Sequence, residues 1–170
     1  MRVASALFCV IILLQGCAGT VQQPATERAV ADAIGCFPDS WNRGDMVAFG
    51  HCFAMDADFV NVTAAWWKGR ASIQKNHAYL LGTIDGSDRD GVTLPPQSYG
   101  IFKATTLTFK STELRSLRPD VQIARVAWQI TGDARTPQPR NGLLMIVITS
   151  SGGRSEIAAV QNTEIARPIK

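Results

Sequence analysis

The chain has few charged residues and only two histidines, and both shortages exclude classes of function. Charged residues make up 18% of the 170 residues, and the 17 Lys and Arg are scattered among 14 Asp and Glu. A protein that follows nucleic-acid phosphates needs a basic run or face, so we predict no nucleic-acid partner. The histidines, His51 and His77, fall on different predicted helices, so a three-histidine site is excluded and we predict no metal.

The sequence also lacks the short motifs of nucleotide and cofactor chemistry. It contains no Gly-x-Gly-x-x-Gly, no phosphate-binding P-loop and no Gly-x-Ser-x-Gly nucleophile elbow. The acidic stretch at 85–91 (Asp-Gly-Ser-Asp-Arg-Asp-Gly) fails as a calcium loop of the EF-hand type, because Gly86 and Gln97 stand at ligand positions. We therefore predict no cofactor.

The amino-terminal residues predict export and lipid attachment. Residues 1–16 place one arginine before a mainly apolar run, which is typical of a signal peptide and short for a membrane span. Residues 14–17 (Leu-Gln-Gly-Cys) resemble the lipobox of bacterial lipoproteins, which implies cleavage before Cys17 and acylation of its thiol. The alternative is an ordinary signal peptide with a chance cysteine.

This resemblance implies a protein of the bacterial cell envelope that contacts the membrane through its lipid alone. Residues 17–25 would form the lipidated tether, and residues 26–170 the folded domain. Ala18 stands where an Asp retains lipoproteins in the inner membrane, which favours the periplasmic face of the outer membrane. In this oxidising compartment, Cys36 and Cys52 either form a disulfide or remain two buried thiols.

The hydrophobic periodicity at the start of the domain predicts helices. Apolar residues three and four apart predict a first helix, which Pro38 should kink or break near Gly35. Gly44 suits the left-handed position after this helix, and Asp45 suits the N-cap of a second. A third helix is predicted to open at Gly69.

The rest of the domain is predicted to form a long loop and a sheet. Residues 82–100 are rich in Gly, Asp and Pro without any period, so we expect a long mobile loop that could serve as a lid. Patterns typical of strands cover residues 56–62, 66–68, 105–117, 121–131, 143–149 and 155–166. Helices followed by antiparallel strands predict an α+β domain with the helices on one face of a curved sheet.

Five motifs that occur in order resemble the SnoaL-like proteins, most closely their SgcJ/EcaC subgroup. They are Trp-Asn-Arg-Gly-Asp at 41–45, Phe-Ala-x-Asp-Ala-Asp-Phe-Val-Asn-Val at 53–62, Gly-Arg at 69–70 with Ile73 and His77, Arg-x-Leu-x-Pro-Asp-Val at 115–121 and Ala-x-Gln-Asn-Thr-Glu at 159–164. The resemblance implies the nuclear transport factor 2-like cone. In that fold a curved, mixed antiparallel sheet wraps around a pocket covered by three N-terminal helices. It also implies a homodimer formed through the sheet.

Ketosteroid isomerases of this superfamily need a carboxylate base and two groups that donate hydrogen bonds to an oxyanion. Counting along the shared motifs places the base at Asn61 and the donors at Phe37 and Met145. Phe and Met donate no hydrogen bond, and Asn is no base at neutral pH. The resemblance therefore implies no ketosteroid-isomerase chemistry.

Three polar side chains are candidates for contact with a ligand. His77 stands on an otherwise apolar helix face, so it is either a general acid-base or a core histidine bonded to a backbone carbonyl. For Asn61, one interpretation is that it orients a ligand carbonyl or holds the His77 tautomer. The other is that it forms hydrogen bonds to its strand neighbours. Gln161 is predicted to face the pocket because it shares a strand face with Ile157 and Ala159.

The aromatic candidates are four tryptophans, Trp41, Trp66, Trp67 and Trp128. We assign Trp41, Trp66 and Trp128 to ligand binding, with core packing as the alternative. The preferred function is an envelope-anchored protein that binds a small apolar or aromatic molecule. The alternatives are a lyase, isomerase or cyclase that uses His77, and a non-catalytic dimerisation module.

Overall fold

The computed structural model describes residues 27–165, which form three α-helices, a short 3-10 turn and six strands. The helices are α1 (Glu27–Arg43), α2 (Met46–His51) and α3 (Arg70–Leu81), and the turn is Pro96–Ser98. The strands are β1 (Phe53–Val60), β2 (Trp66–Lys68), β3 (Thr106–Arg118), β4 (Val121–Thr131), β5 (Arg140–Ser151) and β6 (Arg154–Glu164). The predicted signal peptide, Cys17 and the tether lie outside the described residues. No helix within 27–165 is long and apolar enough to cross a membrane.

The six strands form one mixed sheet in the order β2-β1-β6-β5-β4-β3. Strands β1 and β6 run parallel, and the other neighbours are antiparallel. The concave face carries the alternate apolar residues of each strand, and in β4 these are Ala124, Val126, Trp128 and Ile130, as predicted. The predicted α+β class and curved, mixed sheet are therefore confirmed.

The first helix is continuous through Pro38, so the predicted break near Gly35 is wrong. A proline inside a helix costs about 3 kcal/mol, but each large apolar side chain that becomes buried returns about 2 kcal/mol. The hydroxyl of Ser40 also donates to the carbonyl oxygens of Cys36 and Phe37 beside the proline, at 2.5 and 3.3 Å. The side chains that bury this face are Val30, Ile34, Phe37 and Trp41.

The turn between α1 and α2 forms as its residue types predict. Gly44 adopts a left-handed conformation with a φ of +66°, which only glycine takes without strain. Asp45 then caps α2, because its Oδ1 accepts a hydrogen bond of 2.9 Å from the backbone N–H of Ala48. This turn folds α2 back along α1 and brings the two helices into contact.

Cys36 in α1 and Cys52 at the end of α2 are joined by a disulfide, with their Cα atoms 5.7 Å apart. A bridge across 16 residues stabilises the fold by about 3 kcal/mol in the chain-entropy description. We expect the intact mass of the denatured protein to rise by two hydrogens on reduction. The double variant Cys36→Ala/Cys52→Ala should lose this increase, and a wild-type mass that reduction leaves unchanged would contradict the bridge.

The loop predicted over residues 82–100 is irregular except for the 3-10 turn, and hydrogen bonds hold it against α3. The fully buried Asn76 donates to the carbonyl of Gly91 at 3.3 Å and accepts from the backbone N–H of Thr93 at 3.0 Å. The hydroxyl of Tyr99 donates to the carbonyl of Ile84 at 2.8 Å. The bonds from Asn76 thereby fix the middle of the loop beside α3.

Candidate functional site

A cavity of about 200 Å³ lies between the concave face of the sheet, the helices and the loop after α3. This volume exceeds the roughly 150 Å³ that admits benzene, and it is below the roughly 300 Å³ at which sites for larger ligands begin. No carboxylate from residues 27–165 lines it. Its walls combine aliphatic side chains and a few polar groups with aromatic rings, which come from Phe37, Trp41, Phe59, Trp67, Phe102 and Trp128.

His77 extends from α3 into this aromatic wall and is 3% exposed. Its Nδ1 lies 2.8 Å from the carbonyl oxygen of Ile73, one turn earlier in the helix. The rings of Phe49, Phe59 and Trp67 have centroids 4.5, 4.9 and 5.0 Å from the imidazole. Burial lowers the pKa of His77 to about 4, against the opposing effect of the Ile73 hydrogen bond. The imidazole is therefore neutral at pH 7.

The tautomer of His77 follows from its partner, because a carbonyl oxygen accepts hydrogen bonds and cannot donate them. The proton is on Nδ1, and Nε2 carries a lone pair. Nε2 has no hydrogen-bond partner among residues 27–165. Every side-chain nitrogen or oxygen that these residues shield from solvent does have a hydrogen-bond partner. Nε2 is therefore not enclosed, and it presents an acceptor to the cavity that His77 lines.

Asn61 follows the last residue of β1 and organises the turn into β2. Its Oδ1 accepts hydrogen bonds of 2.9 Å from the backbone N–H and hydroxyl of Thr63 and from the backbone N–H of Ala65. This fixes the amide, and Nδ2, which lacks a partner within residues 27–165, presents N–H donors to the cavity that Asn61 lines. The Ile73 carbonyl, rather than Asn61, holds the tautomer of His77.

Trp41 and Trp128 line the cavity and are also core residues, 5% and 3% exposed. The indole N–H of Trp41 donates to Thr105 Oγ1 at 3.2 Å, and that of Trp128 donates to Asn162 Oδ1 at 2.9 Å. Both rings therefore have fixed orientations and offer flat apolar faces. Core packing and a contribution to the cavity wall are compatible for these two residues.

The placement of Trp66 in the cavity is wrong, and Trp67 takes that position. Strand β2 has three residues, and its middle residue, Trp67, is the one that faces inward, at 1% exposure. Trp66 is 56% exposed on the other face, where its N–H donates to Asp58 and Lys68 lies over its ring. In a strand this short, alternation gives no signal that decides which of two tryptophans points inward.

The placement of Gln161 in the cavity is also wrong, and Asn162 takes that position. The pairing of β5 with β6 shifts by one residue, since Val147 pairs with Ala159 but Ile148 pairs with Ile157. This bulge reverses the faces beyond it, so that Asn162 points inward while Gln161 is exposed. Alternation counted from Ile157 without the bulge gives the opposite face.

One of the three residues at ketosteroid-isomerase positions lies outside the cavity. Phe37 and Asn61 line the cavity, but Met145 lies on the outer face of the sheet and is 43% exposed. The inward neighbours in β5 are Leu144 and Ile146, which are both buried and apolar. Counting back from the hairpin is therefore wrong by one residue, and the inward positions still carry no carboxyl group.

A cluster of four charged residues lies at one end of the cavity, and the sequence patterns did not predict it. Arg140 donates through Nε and Nη2 to the carboxylate of Glu164, at 2.7 and 2.5 Å, and through Nη1 to Asp133 at 3.1 Å. Hydrogen bonds from Arg135, helped by Arg140, lower the pKa of the buried Asp133 to about 2. Both guanidinium groups lie over the ring of Phe102, with centroid distances of 5.1 and 5.3 Å. The two positive and two negative charges cancel.

The sequence does not indicate that Arg140 and Glu164 meet. The bulge in β6 sets Glu164 opposite Gly142, two residues along β5 from Arg140, so the two side chains are diagonal neighbours on one face of the sheet. Counting outward from the hairpin at Ser151 and Arg154 without the bulge sets Glu164 opposite Asn141, on the other face from Arg140. Asp133 and Arg135 lie in an irregular loop, where no period indicates a face. Among residues 27–165, no group of three His, Cys, Asp or Glu side chains is arranged to hold a metal ion.

Gly142 allows the ring of Trp128 to pack directly against the sheet. A Cβ at this position would collide with that ring and with the backbone carbonyl of Thr163, which cannot rotate away. We expect Gly142→Ala to lower the free energy of unfolding by about 2 kcal/mol. Gly35→Ala, in open space on α1, should instead raise it by about 0.5 kcal/mol. Urea denaturation measures both, and a fully stable Gly142→Ala would contradict this packing.

Comparisons with known proteins identify the fold. No protein-family model and no curated protein matches the chain. An uncharacterized protein with a cystatin-like fold from Caulobacter vibrioides matches with a TM-score of 0.65 and 22% identity, over 82% of this chain and 89% of that one. An NTF2-like protein with a cystatin-like fold from Novosphingobium aromaticivorans matches with a TM-score of 0.60 and 14% identity, over 81% and 80%.

A third similar structure is a ketosteroid isomerase-like protein from Erwinia carotovora atroseptica. It matches with a TM-score of 0.60 and 13% identity, over 82% of this chain and 96% of that one. The order of the strands and these similarities show that the chain has the nuclear transport factor 2-like fold, also called cystatin-like. This fold serves many functions, so the residues of the cavity have to decide what it does.

Proposed function

We propose that the protein binds a small, neutral molecule with a single apolar or aromatic ring in the cavity. The observation that carries this proposal is a cavity of about 200 Å³ whose walls are largely aromatic and aliphatic, with no lining carboxylate from the described residues. Apolar cavities of about this size take up benzene, because a ring restores the dispersion contacts that a void lacks. The paired charges at one end leave no net charge to attract an ion.

We also place this binder in the bacterial envelope, as a lipoprotein of the SnoaL-like, SgcJ/EcaC type. The lipobox-like residues 14–17 and the five ordered motifs support this part of the proposal. Metabolic labelling with radioactive palmitate should label the wild-type protein and leave Cys17→Ser unlabelled. Equal labelling of the two proteins would remove Cys17 as the acylation site.

The homodimer belongs to the same proposal. The outer face of β5 exposes two large apolar side chains, Leu143 and Met145, which are 52% and 43% exposed. They lie two residues apart on one face, and such an apolar pair is unusual for a surface that stays in water. Sedimentation velocity should give a dimer for the wild type and a monomer for Leu143→Asp, whereas a wild-type monomer at micromolar concentration would contradict the interface.

The second candidate function is a lyase, isomerase or cyclase, which the accessible Nε2 of His77 favours. A group with a pKa of about 4 is a weak base at pH 7, and only about one molecule in a thousand would carry the proton of a general acid. Binding without chemistry therefore ranks first. If turnover of a ligand is found, His77→Ala should abolish it, and unchanged turnover would remove His77 from the mechanism.

Native mass spectrometry and titration test the binding proposal together. Protein purified from its own cell envelope should retain a small molecule, and toluene should bind to ligand-free protein with a stoichiometry of one. Leu94→Trp fills the cavity from the loop, so it should weaken toluene binding at least about tenfold. Leu117→Trp makes the same change on the exposed sheet face and should leave binding unchanged. Absence of any binding would leave only the dimerisation module.

A further inference from the structure

His77 presents an unused acceptor among the aromatic rings that pack around it. The hydrogen bond from Nδ1 to the Ile73 carbonyl fixes the tautomer. The rings of Phe49, Phe59 and Trp67 pack against the imidazole and fix its orientation. The lone pair of Nε2 therefore has a constant direction, toward the cavity. His77 as a residue is only 3% exposed, so the donor that Nε2 needs has to come from whatever occupies the cavity.

A purely apolar ligand would leave this requirement unmet. Covering Nε2 with a methyl or ring C–H removes it from water without a partner, which costs far more than a hydrogen bond normally contributes. A ligand with an O–H group satisfies the lone pair, and its ring still fills the aromatic walls. Building on the proposed function, we infer that the ligand is a small hydroxylated aromatic molecule, of the phenol class, whose hydroxyl donates to His77 Nε2.

The hydrogen-bond donors of Asn61 are also consistent with a hydroxyl group on the ligand. Asn61 presents N–H donors to the same cavity, and a hydroxyl oxygen accepts as well as donates. Phenolic hydroxyls have pKa values of about 10, so the hydroxyl of the ligand keeps its proton at pH 7. An aromatic carboxylate fits less well, because its oxygens only accept hydrogen bonds and would face the lone pair of Nε2. The two arginines of the cavity, Arg135 and Arg140, are already paired with Asp133 and Glu164.

Calorimetric titration of the full-length protein with phenol, toluene and benzoate tests the inference. In the wild type, phenol should bind more tightly than benzoate. The ratio of phenol affinity to toluene affinity should fall at least about tenfold in His77→Phe, which keeps a ring but lacks the acceptor. His77→Leu is a second variant of different shape and should show the same fall. Comparing ratios cancels the different hydration of the free ligands.

The outcomes separate this inference from the proposed function. If the wild type binds neither phenol nor toluene, the proposed function fails. If it binds both and the ratio is the same in the His77 variants, or if benzoate binds more tightly than phenol, the inference is overturned and the cavity remains a binding site. If the His77 variants do not fold, an NMR measurement on the wild-type protein still tests the inference. The ¹⁵N resonance of Nε2 should move upfield with phenol and not with toluene, and equal shifts would overturn the inference.

Discussion

Acidification from pH 7 to pH 4 is expected to destabilise the protein by about 3 kcal/mol through His77 alone. The folded-state pKa of about 4 lies below the value of 6.5 for an exposed histidine, because burial disfavours the charged imidazolium. As the pH falls, the unfolded chain takes up the proton first. The contribution of His77 to stability is therefore complete above pH 6.5 and is lost progressively down to pH 4.

The surroundings of His77 give the imidazolium nothing that compensates its charge. The packed rings come from α1, α2, β1 and β2 and carry no charge. The charged residues that line the same cavity are Arg135 and Arg140, which are both cationic. Only the carbonyl of Ile73 favours the protonated form, and its effect is smaller than that of burial.

Denaturation with urea at pH 7 and pH 4 measures this effect, with His77→Leu as the control. The difference in unfolding free energy between the two pH values should be about 3 kcal/mol smaller in the variant. Asp133, with a pKa of about 2, stabilises the fold above pH 4 and loses this contribution as the pH falls toward 2, in both proteins alike. The same pH dependence in wild type and variant would show that His77 is not buried in its neutral form.

Replacement of Arg140 by methionine should lower the free energy of unfolding by about 3 kcal/mol at pH 7. The guanidinium is largely buried and bridges two acids, and Asp133 is 5% exposed. Without Arg140, Glu164 loses a two-point partner and Asp133 keeps Arg135 as its cationic partner. Methionine fills similar space, so the loss reports on the charge and hydrogen bonds that Arg140 gives to the two carboxylates rather than on a void.

Arg125→Met is the matched control for this prediction. Arg125 pairs with Glu113 at 2.7 Å, but both side chains are about two-thirds exposed on the sheet. A pair that is screened by water contributes less than about 1 kcal/mol, so this variant should be nearly as stable as the wild type. Equal losses in the two variants would contradict a special role for the charged cluster at the cavity.

Periodicity in the sequence predicts the elements of this fold well. The strand predicted over 121–131 has those bounds in β4, and its four inward residues are the predicted ones. Asp45 caps α2, and α3 begins at Arg70, directly after the predicted Gly69. These features depend on local residue types and on alternation within a single element, which a sequence displays directly.

The candidate site could be predicted only in part. His77, Asn61, Trp41 and Trp128 line the cavity, because each lies in an element whose inward face is marked by apolar neighbours. The errors at Gln161 and Trp66 have a common origin in the two-residue period of strands. One bulge, or one strand of three residues, is enough to exchange the faces.

The loop residues of the cavity were beyond prediction for a different reason. Leu94, Phe102 and Arg135 come from irregular segments, where individual hydrogen bonds rather than periodicity fix the positions of residues. Arg89, for example, holds the segment near Leu94 by donating to its carbonyl. The size of the cavity depends on these residues, so its volume also had to come from the structure.

A crystal structure of the protein grown with phenol tests the central claim most directly. We predict one ring in the cavity between the aromatic walls, with its hydroxyl oxygen about 2.6–3.2 Å from His77 Nε2. A cavity that holds only water at saturating phenol would contradict the assignment of a phenol-class ligand. A bound ring whose hydroxyl points away from Nε2 would contradict the role assigned to His77.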